Sequence, residues 1–146
     1  MPFRFSLESI LRFRKNVEHA EELTLNKILQ EIIAAQLEQQ RIEADRESFR
    51  VQRDRDLVKG LPAAYLQDLT VKEQQLENAA NVVRRQLQDL NRKRETQLAV
   101  LRVAQQNREL LDEMRKQKHL TYQREQHRRE QKTLDDMFLS RMQEDD

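Results

Sequence analysis

Apolar residues recur along the first part of the chain at Leu7, Ile10, Leu11, Val17, Ala20, Leu25, Ile28, Ile32, Ala35, Ile42 and Phe49. Steps of three and four line side chains along one stripe of an α-helix. From Leu25 onward the steps are those of heptad a and d positions. The offset between Val17 and Ile28 reads as an eleven-residue step that locally relaxes a supercoil. Gln39, Arg46 and Arg53 fall on the stripe and loosen it toward its end. At its start Ser6 is placed to cap the helix, with Glu8 in the first turn where a carboxylate favours the positive end of the dipole. A second stripe runs through Leu69, Leu76, Ala79 or Ala80, Val83, Leu87, Leu90, Leu98, Leu101, Ala104 and Leu111.

Between the two stripes lies Lys59-Gly60-Leu61-Pro62, which holds the only glycine and the only internal proline. Two helix breakers one residue apart mark a turn, and Pro62 suits a first helical position in the segment that follows. Folding the chain here sets residues opposite one another when their numbers sum to about 122, as in an antiparallel coiled coil. Ile42 then meets Ala80, Ala35 meets Leu87, Ile32 meets Leu90, Leu25 meets Leu98, Val17 meets Ala104 or Gln105, and Ile10 meets Leu111. The predicted fold is all-α: two long helices in an antiparallel coiled-coil hairpin, one domain over 1–146. Arm one covers 5–58, the tip 59–62 and arm two 63–143. The arms are unequal, so the C-terminal helix overhangs from His119 onward.

Composition narrows the function. Charged residues make up 36% of the chain and aromatics 5%, with one glycine and two prolines, too few turn-formers for a compact multi-element globule. One glycine excludes phosphate-binding glycine loops, and no cysteine means no thiolate chemistry or disulfide scaffold. His19, His119 and His127 lack metal-motif spacing and read as surface residues. The carboxylates lie on exposed helix faces, where they are solvated or paired at i, i+4, so the chain is expected to be no enzyme, with no cofactor and no metal. A net charge of +1 favours neither nucleic acid nor an acidic partner in bulk, and the N-terminus shows neither a signal-peptide core nor a span, which points to a cytoplasmic protein.

Local charge is more informative. The overhang carries Arg115, Lys116 and Lys118, then Arg124, Arg128, Arg129 and Lys132, then Leu134, Met137, Phe138, Arg141 and Met142 on one helical face, and an acidic end, Glu144-Asp145-Asp146. The basic run has no stacking aromatic beyond Tyr122 and is interrupted by Glu125 and Glu130, so an acidic protein surface or plain solvent fits better than nucleic acid. The N-terminal Phe3, Phe5, Leu7, Ile10, Leu11 and Phe13 read as residues of the inter-helix seam at its open end rather than as a membrane anchor.

With these features on the page, the chain resembles the FliJ family of bacterial flagellar type III export proteins. The resemblance rests on the opening Phe3-x-Phe5-x-Leu7-Glu8-x-x-Leu11-x-x-Arg14 with Glu18 soon after, the two-helix layout with a central tip, and the ending Gln131-Lys132-x-Leu134-Asp135-Asp136-x-Phe138. It implies a stalk, similar to the rotor of the rotary ATP synthase, that binds and activates the flagellar export ATPase hexamer and connects it to the export gate membrane protein. It also implies binding of export chaperones and a location peripheral to the inner membrane at the flagellar base. The open end is expected to meet the ATPase through Arg115, Lys116, Lys118, Arg124, Arg128, Arg129, Phe138 and Met142. By resemblance the gate-contacting patch maps onto Ile42, Phe49, Leu76 and Ala79, while Glu38, Asp45, Lys72 and Val83 depart from the family pattern beside it. The alternatives are a generic coiled-coil scaffold or secretion adaptor, and a nucleic-acid-associated helical hairpin.

Overall fold

The computed structural model describes residues 2–145. Among these residues there are two helices and no strand: α1, Glu8–Lys59, and α2, Ala63–Glu144, which pack against each other antiparallel, with the C-terminal part of α2 overhanging. The described chain divides into two compact units, each built from a length of both helices. The first is the chain up to Ala20 with Leu101 onward, and the second is Glu21–Val100.

The ends of the helices differ from expectation by one or two residues. The Leu11 N–H donates to the Leu7 carbonyl at 2.9 Å and the Glu8 N–H to the Phe5 carbonyl at 3.1 Å, so Leu7 rather than Ser6 occupies the cap position. Phe5 is buried, and docking its ring fixes residues 5–7 in a turn before the helix can begin. At the tip α1 stops at Lys59 because Gly60 adopts a φ of 79°, the left-handed conformation that ends many helices. The Gly60 N–H donates to the Leu57 carbonyl at 3.2 Å, and the Leu66 N–H to the Pro62 carbonyl at 3.3 Å. Pro62 is thus the residue before the first helical position of α2, not that position itself. A Cβ at Gly60 would meet nothing within 4 Å, so the cost of Gly60→Ala is purely that of the backbone. We expect it to lower stability by roughly 1–2 kcal/mol, with Gly60→Asn costing less; equal melting temperatures for wild type and the alanine variant would contradict this.

In the second unit the core consists of two successive layers. Ile32, Ala35 and Leu90 pack with Ile28 and Leu87, and Ile42, Ala80 and Val83 pack with Ala79 and Leu87. In the first unit Phe5, Leu11, Leu101 and Ala104 are buried. Cross-helix partners in both units have residue numbers summing to about 122, within about four, as expected for an antiparallel pair folded at the Gly60–Pro62 break.

The seam itself departs from the sequence reading in its N-terminal half. Shielded residues on α1 recur at 11, 14, 18, 21, 25, 28, 32 and 35 in an unbroken four-three pattern, so there is no eleven-residue step. Glu18 and Glu21 fill the places where the apolar pattern breaks. On α2 the seam passes through Gln97, not Leu98, which is 42% exposed and so does not fill the inward position expected of it opposite Leu25. Likewise Leu11, 1% exposed, and not Ile10, 44% exposed, is the inward residue near Leu111. Phe13 is also exposed, contrary to its expected place in the seam.

Candidate functional site

The polar residues drawn into the seam are the part that periodicity missed. In the first unit the Arg108 guanidinium donates from Nε to Glu18 at 2.5 Å and from Nη1 to Asp112 at 2.9 Å. The two side chains that meet across the helices are well shielded, 13% exposed for Glu18 and 27% for Arg108. The hydrogen bond to Glu18, then that to Asp112, holds the Arg108 pKa far above its ordinary value. In the second unit Gln97 donates to both the backbone carbonyl and the carboxylate of Glu21. Nearer the tip Arg53 donates to Glu73 at 2.8 Å, and that bond raises the Arg53 pKa. These three pairs join complementary groups across the helices, a pairing that sequence spacing in a single helix cannot reveal, whereas Arg46 in the same seam donates to Glu43 on its own helix.

The expected ATPase-facing residues lie on α2 in the first unit, and they are not equivalent. Arg115 donates to Glu8 at 3.0 Å and so ties α2 to the first turn of α1. Phe3 covers the next turn of α2, its ring 4.8 Å from that of His119 and 5.5 Å from that of Tyr122. Lys116, Lys118, Arg124, Arg128 and Arg129 are exposed. Past Gln126 every described residue of α2 is exposed, including Leu134, Met137, Phe138, Leu139 and Met142. Leu134, Asp135, Met137, Phe138 and Arg141 line a shallow depression of about 400 Å³. Asp146, the last of the acidic trio, lies outside the described residues.

The residues mapped to the export gate lie in the second unit, and the structure separates them by burial. Ile42 is a core residue and Ala79 packs beside it. Phe49 and Leu76 are half-buried and line a cavity of about 640 Å³ between the helices near the tip, together with Arg53, Tyr65, Leu69 and Lys72. The Lys72 ammonium sits 5.6 Å from the centre of the Phe49 ring, a cation–π contact. Solvent reaches this stretch of seam because Arg46 and Arg53 stand where apolar side chains would close it.

Among the described residues no group of three or more His, Cys, Asp or Glu side chains is placed to hold a metal ion, and no helix is long and apolar enough to cross a membrane. A protein-family model described as flagellar FliJ protein matches residues 3–144. Comparison with curated proteins and with solved structures gives no match.

Proposed function

Because the chain belongs to the flagellar FliJ family, tied to flagellar protein export, we propose that it is the non-enzymatic stalk that binds and activates the export ATPase hexamer and couples it to the export gate. The observation that carries this reading is the exposed overhang of α2 in a chain that matches the family almost end to end: a basic turn-by-turn series followed by an apolar face with no helix against it. Unpartnered apolar side chains on a charged helix are the signature of a surface completed by another protein. In this reading Arg124, Arg128 and Arg129 meet acidic loops of the ring, Lys116 and Lys118 lie at its rim, and Phe138 with Met142 docks in an apolar sleeve. Arg115 contributes by fixing the base of the overhang through Glu8. An asymmetric helical pair inside a near-symmetric ring contacts each subunit differently and so biases the ring among its conformations. The gate membrane protein is met near the tip through the open faces of Phe49 and Leu76, with Ile42 and Ala79 supporting them from within. Export chaperones are further partners, and the site of action is the cytoplasmic side of the inner membrane at the flagellar base.

The test is charge reversal. Arg124→Glu with Arg128→Glu and Arg129→Glu should reduce stimulation of the ATPase to near its unstimulated rate while the circular dichroism spectrum stays helical, since all three side chains are exposed. Full stimulation by a folded triple variant would refute the assignment.

A further inference from the structure

In the first unit each helix carries two stripes, not one. On α1 the seam residues Leu11, Arg14 and Glu18 are each preceded by a residue of a second set, Ile10, Phe13 and Val17, with Ala20 next in the series. On α2 the seam residues Ala104, Arg108 and Leu111 are likewise preceded by Val103, Asn107 and Leu110, and the second set continues through Met114, Gln117 and Thr121. None of these second-stripe residues is charged, in a chain in which 36% of residues are. Several are strongly exposed: Phe13 by 59%, Leu110 by 64% and Val103 by 55%. Leu110, Met114, Gln117 and Thr121 also line a shallow depression of about 370 Å³ with Glu113 and Lys118.

Heptad geometry places both second stripes on one side of the pair. The residue before each seam position is the g or c flank, and in an antiparallel pair the g flanks of the two helices lie together. Phe13 is then level with Leu110, Ile10 with Met114 and Ala20 with Val103, by the same register that the buried residues follow.

The phase between the stripes says what covers this face. A shift of one residue turns the direction of contact by about 100° around the helix, close to the corner of about 90° in a square four-helix bundle and far from the roughly 60° corner of a three-helix one. A single added helix therefore fits this face less well than a second helical pair bearing the same two stripes. We propose that this face packs against the same face of a second copy of the chain, forming a two-fold four-helix bundle. With the two-fold axis along the helices, α1 of each copy lies antiparallel to α2 of the other, and Phe13 of one is level with Leu110 of the other. The area covered is on the order of 1,000 Å² in total, at the lower edge of specific interfaces, so the dimer is weak and concentration-dependent. This inference stands apart from the export reading.

The test is sedimentation equilibrium of the full chain from roughly micromolar to several hundred micromolar, a range suited to a small interface. Wild type should pass from monomer to dimer, Phe13→Glu and Leu110→Glu should each remain monomeric with helical circular dichroism, and Val82→Glu, in the second unit, should dimerise like wild type. Should the glutamate variants unfold, cross-linking decides. The chain has no cysteine of its own, so Phe13→Cys mixed with Leu110→Cys should give a mixed disulfide dimer under mild oxidation, at several times the yield of either alone. Monomer at every concentration, a dimer insensitive to both folded glutamate variants, or no preference for the mixed disulfide overturns the proposal.

Discussion

Leu90→Ala should lower the stability of the protein by about 2–4 kcal/mol, whereas Leu98→Ala, two turns further along the same helix, should change it by less than about 0.5 kcal/mol. Leu90 lies 6% exposed in the layer with Ile32 and Ala35, and truncating it removes its contacts and leaves a void that two helices can only partly close. Leu98 is 42% exposed and Gln97 holds the inward position beside it. Thermal and urea denaturation followed by circular dichroism measure both. Similar losses for the two variants would mean that Leu98 also faces α1, and the seam described here would be wrong by one residue over that turn.

That comparison also locates what the sequence could and could not disclose. The helices, the break at Gly60 and Pro62, and the register about that break were legible because each rests on a strong local rule: breakers are scarce here, and antiparallel pairing follows once the break is placed. The choice between adjacent residues was not. Ile10 and Leu11 are both apolar, and only the phase of the whole seam decides that Leu11 turns inward. Where the inward residue is polar, as at Glu18, Glu21, Gln97 and Arg108, a search for apolar spacing skips it and reads an irregularity instead. The candidate binding residues divide in the same way. The exposure of Arg124, Arg128, Arg129, Phe138 and Met142 follows from the unequal arms and was foreseeable. So was the burial of Ile42 beside Ala80, which its place on the stripe implies; the Arg115–Glu8 bond was not, since an ion pair between two helices leaves no mark in the spacing of either one.

The polar layer of the first unit carries the second large effect. Glu18→Ala leaves the Arg108 guanidinium shielded with Asp112 and the more distant Glu109, both on its own helix, to balance it, and should destabilise by roughly 1–3 kcal/mol, below the cost of breaking a fully buried pair because both side chains retain some contact with water. Arg108→Met should cost less, since it restores apolar packing at a seam position, although Glu18 then loses its partner. A double-mutant cycle over the two sites should give a coupling of at least about 1 kcal/mol. The Arg108 pKa is raised on folding, so the stability this group contributes is fully present below its unfolded value and is lost only as pH climbs through the higher folded one, beyond the ordinary range for arginine. The difference in stability between wild type and Arg108→Met should therefore owe nothing to arginine titration from neutral pH to pH 10. An independent pair, with coupling near zero, would show that Glu18 and Arg108 occupy the seam without holding each other there, and the register would then have to be set by the apolar layers alone.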